Sequence, residues 1–381
     1  MTVRTAAAMV LEAPRQLVER TFDLPSIGRD DALLRIEACG LCGTDHEQYT
    51  GALPAGGAVV PGHETVGVIE AIGPEAIERW GVDVGDRVAV EVFQSCRTCE
   101  PCRTGAYRRC TRHGIGDMYG FIPTSTPPSL WGGYAAYQYL APDSMVLSVP
   151  DGLDAVTATM FNPLGAGIRW GVTLPGTSVG DVVAVLGPGM RGLSAVAAAK
   201  EAGAGFVMIT GRGDADRERL EWAPAFGADL CVDVDDTDPV QALRAAGHRG
   251  ADVVIDVTAN APAAFATAIE IARPGGTVVV AGTRGDGPTP GFRPDTIVFK
   301  ELRLLGALGV DVAAYRAALT LLASGRYPFR ELPRQVAGFD RIDALLRTMA
   351  GEATGERRPV HGVFVPDHDS TALADLPGGT S

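Results

Sequence analysis

Two groups of residues in this 381-residue chain have the types and spacing to hold a metal ion. The first is Cys96, Cys99, Cys102 and Cys110, which read Cys-x2-Cys-x2-Cys-x7-Cys within the polar stretch SCRTCEPCRTGAYRRC. Spacing this tight lets one loop wrap a tetrahedral ion, and thiolates suit zinc. Four protein sulfurs leave no open position, so zinc held there is structural rather than catalytic. A pair of disulfides or an iron–sulfur cluster are the alternatives. Arg97, Arg103, Arg108 and Arg109 would offset the charge of four thiolates. The second group is Cys39-Gly40-Leu41-Cys42-Gly43-Thr44-Asp45-His46-Glu47, followed by Pro61-Gly62-His63-Glu64. Taken alone, Cys39 and Cys42 are either metal ligands or core thiols, and His63 is either a ligand or a buried structural histidine.

A third motif concerns a nucleotide. Gly187-Pro188-Gly189-Met190-Arg191-Gly192 follows the apolar run VVAVL and opens an alanine-rich helical stretch. In that position Gly187 permits the tight turn, Gly189 lets backbone approach a pyrophosphate, and Gly192 allows close helix–strand contact. The helix N-terminus then meets the phosphate charge. The next strand, FVMIT, runs into Gly211 and Arg212, where an NAD-binding chain usually carries an acid for the ribose hydroxyls. The missing carboxylate and the adjacent cation favour NADP over NAD. Arg212 lying in solvent, or stacked on adenine, is the alternative.

The elements that must position these groups fall into two textures. Up to about residue 160 the chain is rich in Gly and Val, with strand-like runs at Ala32–Glu37, Thr65–Ile72 and Asp86–Val92. From Asp181 short apolar runs alternate with helical stretches, as expected of a doubly wound parallel sheet. After about residue 308 come a helix (312–324), RQVAGF, a helix (340–350) and VHGVFVP, a tail able to complete the first domain. The expected division is a catalytic domain from 1–163 and 309–381, with a zinc lobe at 94–112, and a dinucleotide-binding domain at 164–308. The last 15 residues read as disordered.

Composition narrows the class. With 46% apolar and 21% charged residues the chain is an ordinary globular protein. A net charge of −13 argues against nucleic acid as a partner. No secretory leader or membrane-length apolar run is evident, and most of the seven cysteines sit in metal-like clusters. These features point to a reducing compartment, the cytoplasm. Cys231, in the run DLCVDV, reads as a small buried hydrophobe.

Taken together and in this order, CGLCGTD, PGHE, GDRVAVE, the four-cysteine loop, GGYAAY, GPGMRG and PGGTVVVAG resemble the zinc-containing medium-chain alcohol dehydrogenases. The resemblance covers roughly residues 5–365. It implies an α/β protein, with a GroES-like β-rich catalytic domain and a doubly wound Rossmann domain. It implies hydride transfer between an alcohol, or the matching ketone or aldehyde, and NADP or NAD. By the same resemblance, Cys42 and His63 match the first two ligands of a catalytic zinc, and Glu64 the adjacent carboxylate that either ligates the ion or waits beside it. Thr44 matches the hydroxyl that takes the substrate proton, and Asp45 the acid that orients His63. Cys39 is expected to be packing. The family's onward relay often uses a histidine five residues after the first ligand. Glu47 stands there, with His46 one position earlier, so either could carry the proton, or the ribose could pass it to water directly.

One position departs from the family. Its Glu-Pro-Leu segment, which ends the first domain and supplies the third ligand, is here Asn162-Pro163-Leu164. An amide is a poor zinc ligand beside thiolate or carboxylate. Either Glu64 completes the site, or Asn162 binds through its carbonyl oxygen or water, or the position is empty. The proline-rich loop 113–131 is expected either to line the pocket with Tyr119, Phe121 and Trp131 or to pack these onto its own domain. Its apolar character favours an apolar or aromatic alcohol. The family is usually dimeric or tetrameric, and 295–308 is the candidate edge for sheet extension. Alternatives are a zinc-independent reductase on the same fold, or a non-catalytic nucleotide-binding protein with only structural zinc.

Overall fold

The computed structural model describes residues 4–53, 56–285, 287–353, 358–368 and 374–376. The chain divides into two compact units. One comprises Met1–Phe161, Leu319–Gly325 and Phe329–Ser381; the other comprises Asn162–Ala318 and Arg326–Pro328.

The first unit is a β-rich body. A hairpin pairs Thr5–Ala13 with Gln16–Asp23. The main sheet runs Ala374–Leu376, Arg334–Ala337, His361–Phe364, Ala32–Gly40, Glu64–Ile72, Arg87–Val90 and Val146–Ser148, and Tyr137–Leu140 also pairs with Ala32–Gly40. The strand His361–Phe364 near the end of the sequence therefore enters the same sheet as Ala32–Gly40, with Val363 opposite Gly40 and Phe364 opposite Cys39. Apolar packing explains why the tail returns. Ile342, Leu345 and Phe364 are buried in one cluster with Met9, Leu11, Tyr49 and Tyr134. Residues 374–376 form a short strand against Arg334–Ala337, where the sequence alone reads as disordered. The backbone edge of Arg334–Ala337 offers hydrogen bonds that composition does not reveal. Asp367 and His368 extend an ordered turn, with the His368 N–H donating to the Val365 carbonyl at 3.1 Å, and the rest of that expected disorder, 369–373 and 377–381, lies outside the described residues.

The second unit is a six-stranded parallel sheet in the order Leu230–Asp233, Phe206–Gly211, Val182–Leu186, Ala251–Asp256, Ala272–Val280 and Arg303–Gly306. This is the doubly wound order, with its switch between Val182–Leu186 and Ala251–Asp256. Small residues let the helix Met190–Glu201 lie close to the sheet: Gly192 through Ala199 are all buried. A helix at Pro239–Ala245 escapes a reading by apolar period because only Pro239 and Leu243 are fully buried, with Val240 and Ala242 packed at the edge of the core. Among the described residues no helix is long and apolar enough to cross a membrane.

Candidate active site

The cluster around Cys42 is set by one helix start and one strand start. Cys42 is the N-cap of the helix Gly43–Thr50, and its backbone N–H donates to Oδ2 of Asp45 at 2.8 Å. This reciprocal cap fixes Asp45, which is buried, and leaves its Oδ1 3.4 Å from Nδ1 of His63. His63 and Glu64 enter the strand Glu64–Ile72 beside Ala32–Gly40, with Glu64 opposite Gly40. The Sγ of Cys42, a ring nitrogen of His63 and a carboxylate oxygen of Glu64 all lie within 4.8 Å of one another. The Sγ of Cys42 donates to the hydroxyl oxygen of Thr44 at 3.5 Å.

The electrostatics suit a cation. Burial opposes a charged His63, but Asp45 and Cys42 outweigh it and raise its pKa well above the ordinary value. A pocket that so favours positive charge at the imidazole equally favours a metal ion there. Phe121 closes one side, its ring centroid 6.3 Å from that of His63.

The structure separates the other nearby residues by role. Cys39 is fully buried, receives a weak hydrogen bond from Thr65, and belongs to the apolar core. His46 Nε2 lies 2.8 Å from Oε1 of Glu352, which also pairs with Arg15. Those partners hold the Glu352 carboxyl down to about 2, Arg15 first and His46 second. Glu47 follows on the same helix and is half-buried. Asn162 is buried, and its Nδ2 donates to the hydroxyl of Tyr315 at 3.1 Å. In the loop 113–131, Tyr119 and Trp131 are core residues packed with Ile69 and Val88. Only Phe121 of the three aromatics adjoins the cluster.

The four-cysteine lobe holds its sulfurs as a metal would require. Cys96 Sγ is 3.8 Å from Cys102 Sγ, and Cys99 Sγ is 3.9 Å from Cys110 Sγ. A tetrahedron with Zn–S bonds of about 2.3 Å has edges of about 3.8 Å, whereas a disulfide brings sulfurs to about 2.05 Å. None of the seven cysteines is in a disulfide. The Thr98 hydroxyl, with backbone N–H groups, lowers the Cys96 thiol to about 5, toward the thiolate that zinc binds. Arg97 reaches the carbonyls of Pro142 and Ser144, tying the lobe to the sheet.

In the second unit the glycine loop has the form that a pyrophosphate needs. Gly187 adopts φ 98°, a left-handed turn that a side chain would strain. No atom lies within 4 Å of a Cβ position on Gly189, so backbone there is open to a ligand. A Cβ on Gly192 would overlap the carbonyl oxygen of Gly187. Pro188 packs on Gly211, and the Arg191 guanidinium sits over Trp170 at 5.2 Å. Arg212, at the start of the helix Gly213–Trp222, is largely exposed, and its Nε donates to Asp235 at 3.1 Å. The acids around it, Asp235 and Asp216, are invisible to a reading that looks only at the strand end.

A metal-ligand cluster on a β-rich unit, with a glycine-loop parallel sheet in the same chain, defines a metal-dependent dehydrogenase built from two domains. Comparison with known proteins bears this out. The alcohol dehydrogenase GroES-like domain matches residues 28–151, and the zinc-binding dehydrogenase domain matches residues 192–324. A Mycobacterium tuberculosis protein described as a probable alcohol dehydrogenase is 68% identical over 360 residues, covering 94% of this chain and 98% of that one. The solved alcohol dehydrogenase of Thermus sp. ATN1 superposes with a TM-score of 0.81 at 28% identity, covering 94% and 99% of the two chains. A zinc-binding dehydrogenase of Sinorhizobium meliloti, solved with NADP, gives 0.80 at 27% identity over 95% and 100%. The chain belongs to the zinc-containing medium-chain dehydrogenase family. It is a zinc-dependent oxidoreductase that acts on the CH–OH group of an alcohol with a nicotinamide cofactor.

Proposed function

We propose that Cys42, His63 and Glu64 hold the catalytic zinc, and that Glu64 replaces the third ligand lost at Asn162. The observation that carries this reading is the convergence of the three ligand atoms within 4.8 Å. The engagement of the Asn162 amide with Tyr315 supports it further. Bound there, zinc supplies Lewis acidity to the oxygen of an alcohol or carbonyl. Asp45 orients His63 and keeps Nε2 for the metal, since an imidazole ligand needs a partner on its other nitrogen. Thr44, beside Cys42, takes the substrate proton. Glu47 lies three residues further along the same helix face and accepts it onward. His46, two residues from Thr44, lies off that face and is engaged by Glu352. Phe121 excludes water on one side and favours a substrate with an apolar or aromatic substituent.

Cys96, Cys99, Cys102 and Cys110 hold a structural zinc. Gly187, Pro188, Gly189, Met190, Arg191 and Gly192 receive the pyrophosphate, with Gly211 and Arg212 at the adenosine ribose. The absence of a carboxylate at Gly211 and the cation that follows it favour NADP. The relative solved with NADP is consistent with that choice. The protein works as a homo-oligomer through the sheet edge at Arg303–Gly306, where Val298, Phe299, Leu304 and Leu308 are exposed apolar side chains.

Zinc per protomer, measured by elemental analysis on chelator-free protein beside a Cys42→Ala variant, tests the central claim. Two zincs falling to one, with loss of NADPH- or NADH-coupled alcohol turnover, is the expected result. One zinc, unchanged in the variant, would overturn it.

A further inference from the structure

The nucleotide unit carries a buried ion pair that none of the roles above uses. Asp256 ends the strand Ala251–Asp256 and is fully buried. Its Oδ1 accepts from the backbone N–H and the hydroxyl of Thr258, at 3.1 and 2.7 Å. Its Oδ2 pairs with the guanidinium of Arg284, a side chain only 12% exposed. Burial pushes the Asp256 carboxyl up, and Thr258 and Arg284 oppose that rise. An anion persists there because these partners compensate it.

Thr258 is the meeting point of three turns. A Cβ on Gly187, the first residue of the phosphate loop, would stand 3.2 Å from the Thr258 methyl. A Cβ on Gly282 would overlap the Thr258 carbonyl oxygen. The N–H groups of Ala281 and Gly282 donate to the Asp256 carbonyl at 3.0 and 3.1 Å. The turns that leave Val182–Leu186, Ala251–Asp256 and Ala272–Val280 are thus locked together at the carboxyl edge of the sheet. Ligands of open parallel sheets bind outside that edge, at the point where strand order switches. Here the switch lies between Val182–Leu186 and Ala251–Asp256. The half that begins with Gly187 and contains Arg212 takes the adenosine end. The half that begins with Ala251 is left for the nicotinamide end.

We propose that Arg284, anchored on Asp256, is a positioning residue for the nicotinamide half of the cofactor. It fixes Thr258 and the turn 257–260 against Gly187, and so sets the crevice wall that the nicotinamide nucleotide meets. A pair kept only for stability would gain little, because desolvation offsets most of the attraction in a buried ion pair. Its location at the ligand-binding edge gives it another use. The inference rests on the nicotinamide assignment.

The test titrates wild type, Arg284→Ala and Arg284→Lys with NADPH and NADH, and separately with 2′,5′-ADP and ADP, which carry the adenosine half alone. The expected result is a loss of about tenfold in dinucleotide affinity for Arg284→Ala, with the half-molecules bound within about twofold of wild type. Arg284→Lys should recover much of the loss, and in turnover the cofactor KM should rise more than kcat falls. Thr258→Val keeps the side-chain shape and removes its hydroxyl, so it should reproduce the pattern in milder form if Arg284→Ala fails to fold. Equal weakening of dinucleotides and half-molecules, or no weakening of either, would overturn the proposal alone. A wild-type chain that bound neither dinucleotide would overturn the nicotinamide assignment with it.

Discussion

Gly40 and Glu64 stand opposite each other across two antiparallel strands, and a Cβ on Gly40 would overlap Oε2 of Glu64. The carboxylate occupies the space that a side chain at 40 would fill, with Cβ of Thr159 also close by. A glycine in a strand is here the room for a ligand.

Gly40→Ala should therefore displace the Glu64 carboxylate without disturbing Cys42 or His63. The expected outcome is weaker zinc at that site and a fall in kcat/KM of about 10–100-fold, the range seen when a metal site loses its geometry. Elemental analysis should find the zinc of the four-cysteine lobe retained. Wild-type kcat/KM in the variant would remove Glu64 from the ligand set.

Cys99→Ala opens the tetrahedron of sulfurs. One zinc per protomer should be lost and Tm should drop by about 5–10 °C, because structural zinc contributes folding free energy directly. Limited proteolysis should then cut within 94–112, while binding of the dinucleotide to the second unit persists. Calorimetry and fragment mapping would check both halves of this expectation.

Asp235 holds the Arg212 guanidinium, so it competes with a 2′-phosphate for that group. Arg212→Ala should raise the KM for NADPH by about tenfold and leave that for NADH nearly unchanged. Asp235→Asn frees the guanidinium and should lower the KM for NADPH. A preference ratio unaltered by either change would point to NAD as the working cofactor.

His361 is buried at the start of the strand His361–Phe364, 3.3 Å from the Thr159 hydroxyl. Burial first, and the Arg334 charge second, lower its pKa from 6.5 to about 3. The unfolded chain takes up a proton below its ordinary pKa, and the folded chain refuses it. Stability is therefore fully present above about pH 6.5 and is lost as pH falls toward about 3. His361→Gln cannot take up that proton, so its urea midpoint should fall less than wild type between about pH 7 and 4.5. Parallel pH slopes for the two proteins would assign the acid sensitivity elsewhere.

Motifs closed within a few residues were legible from the sequence because chain geometry alone brings their atoms together. Three cysteines at intervals of three, with a fourth eight residues on, can reach one ion whatever surrounds them. The glycine loop likewise declares its turn and its helix start. The alternation from Val182 to Val280 gave a parallel sheet, since buried strands and small-residue helices leave a periodic trace. The short strand at 374–376 left no such trace, because its backbone pairing to Arg334–Ala337 is not encoded in any local spacing.

The amino-acid sequence by itself determined the family, the two kinds of unit, and which side chains have the chemistry of zinc and nucleotide binding. Only the tertiary structure decided their partners. Gly40 makes room for Glu64, His46 meets Glu352, Asn162 meets Tyr315, and Asp256 holds Arg284. It also turned Tyr119 and Trp131 into the core and left Phe121 beside His63. These pairings join residues from 24 to 306 positions apart. Such contacts depend on strand register and on the collective packing of whole sheets, which no local spacing encodes.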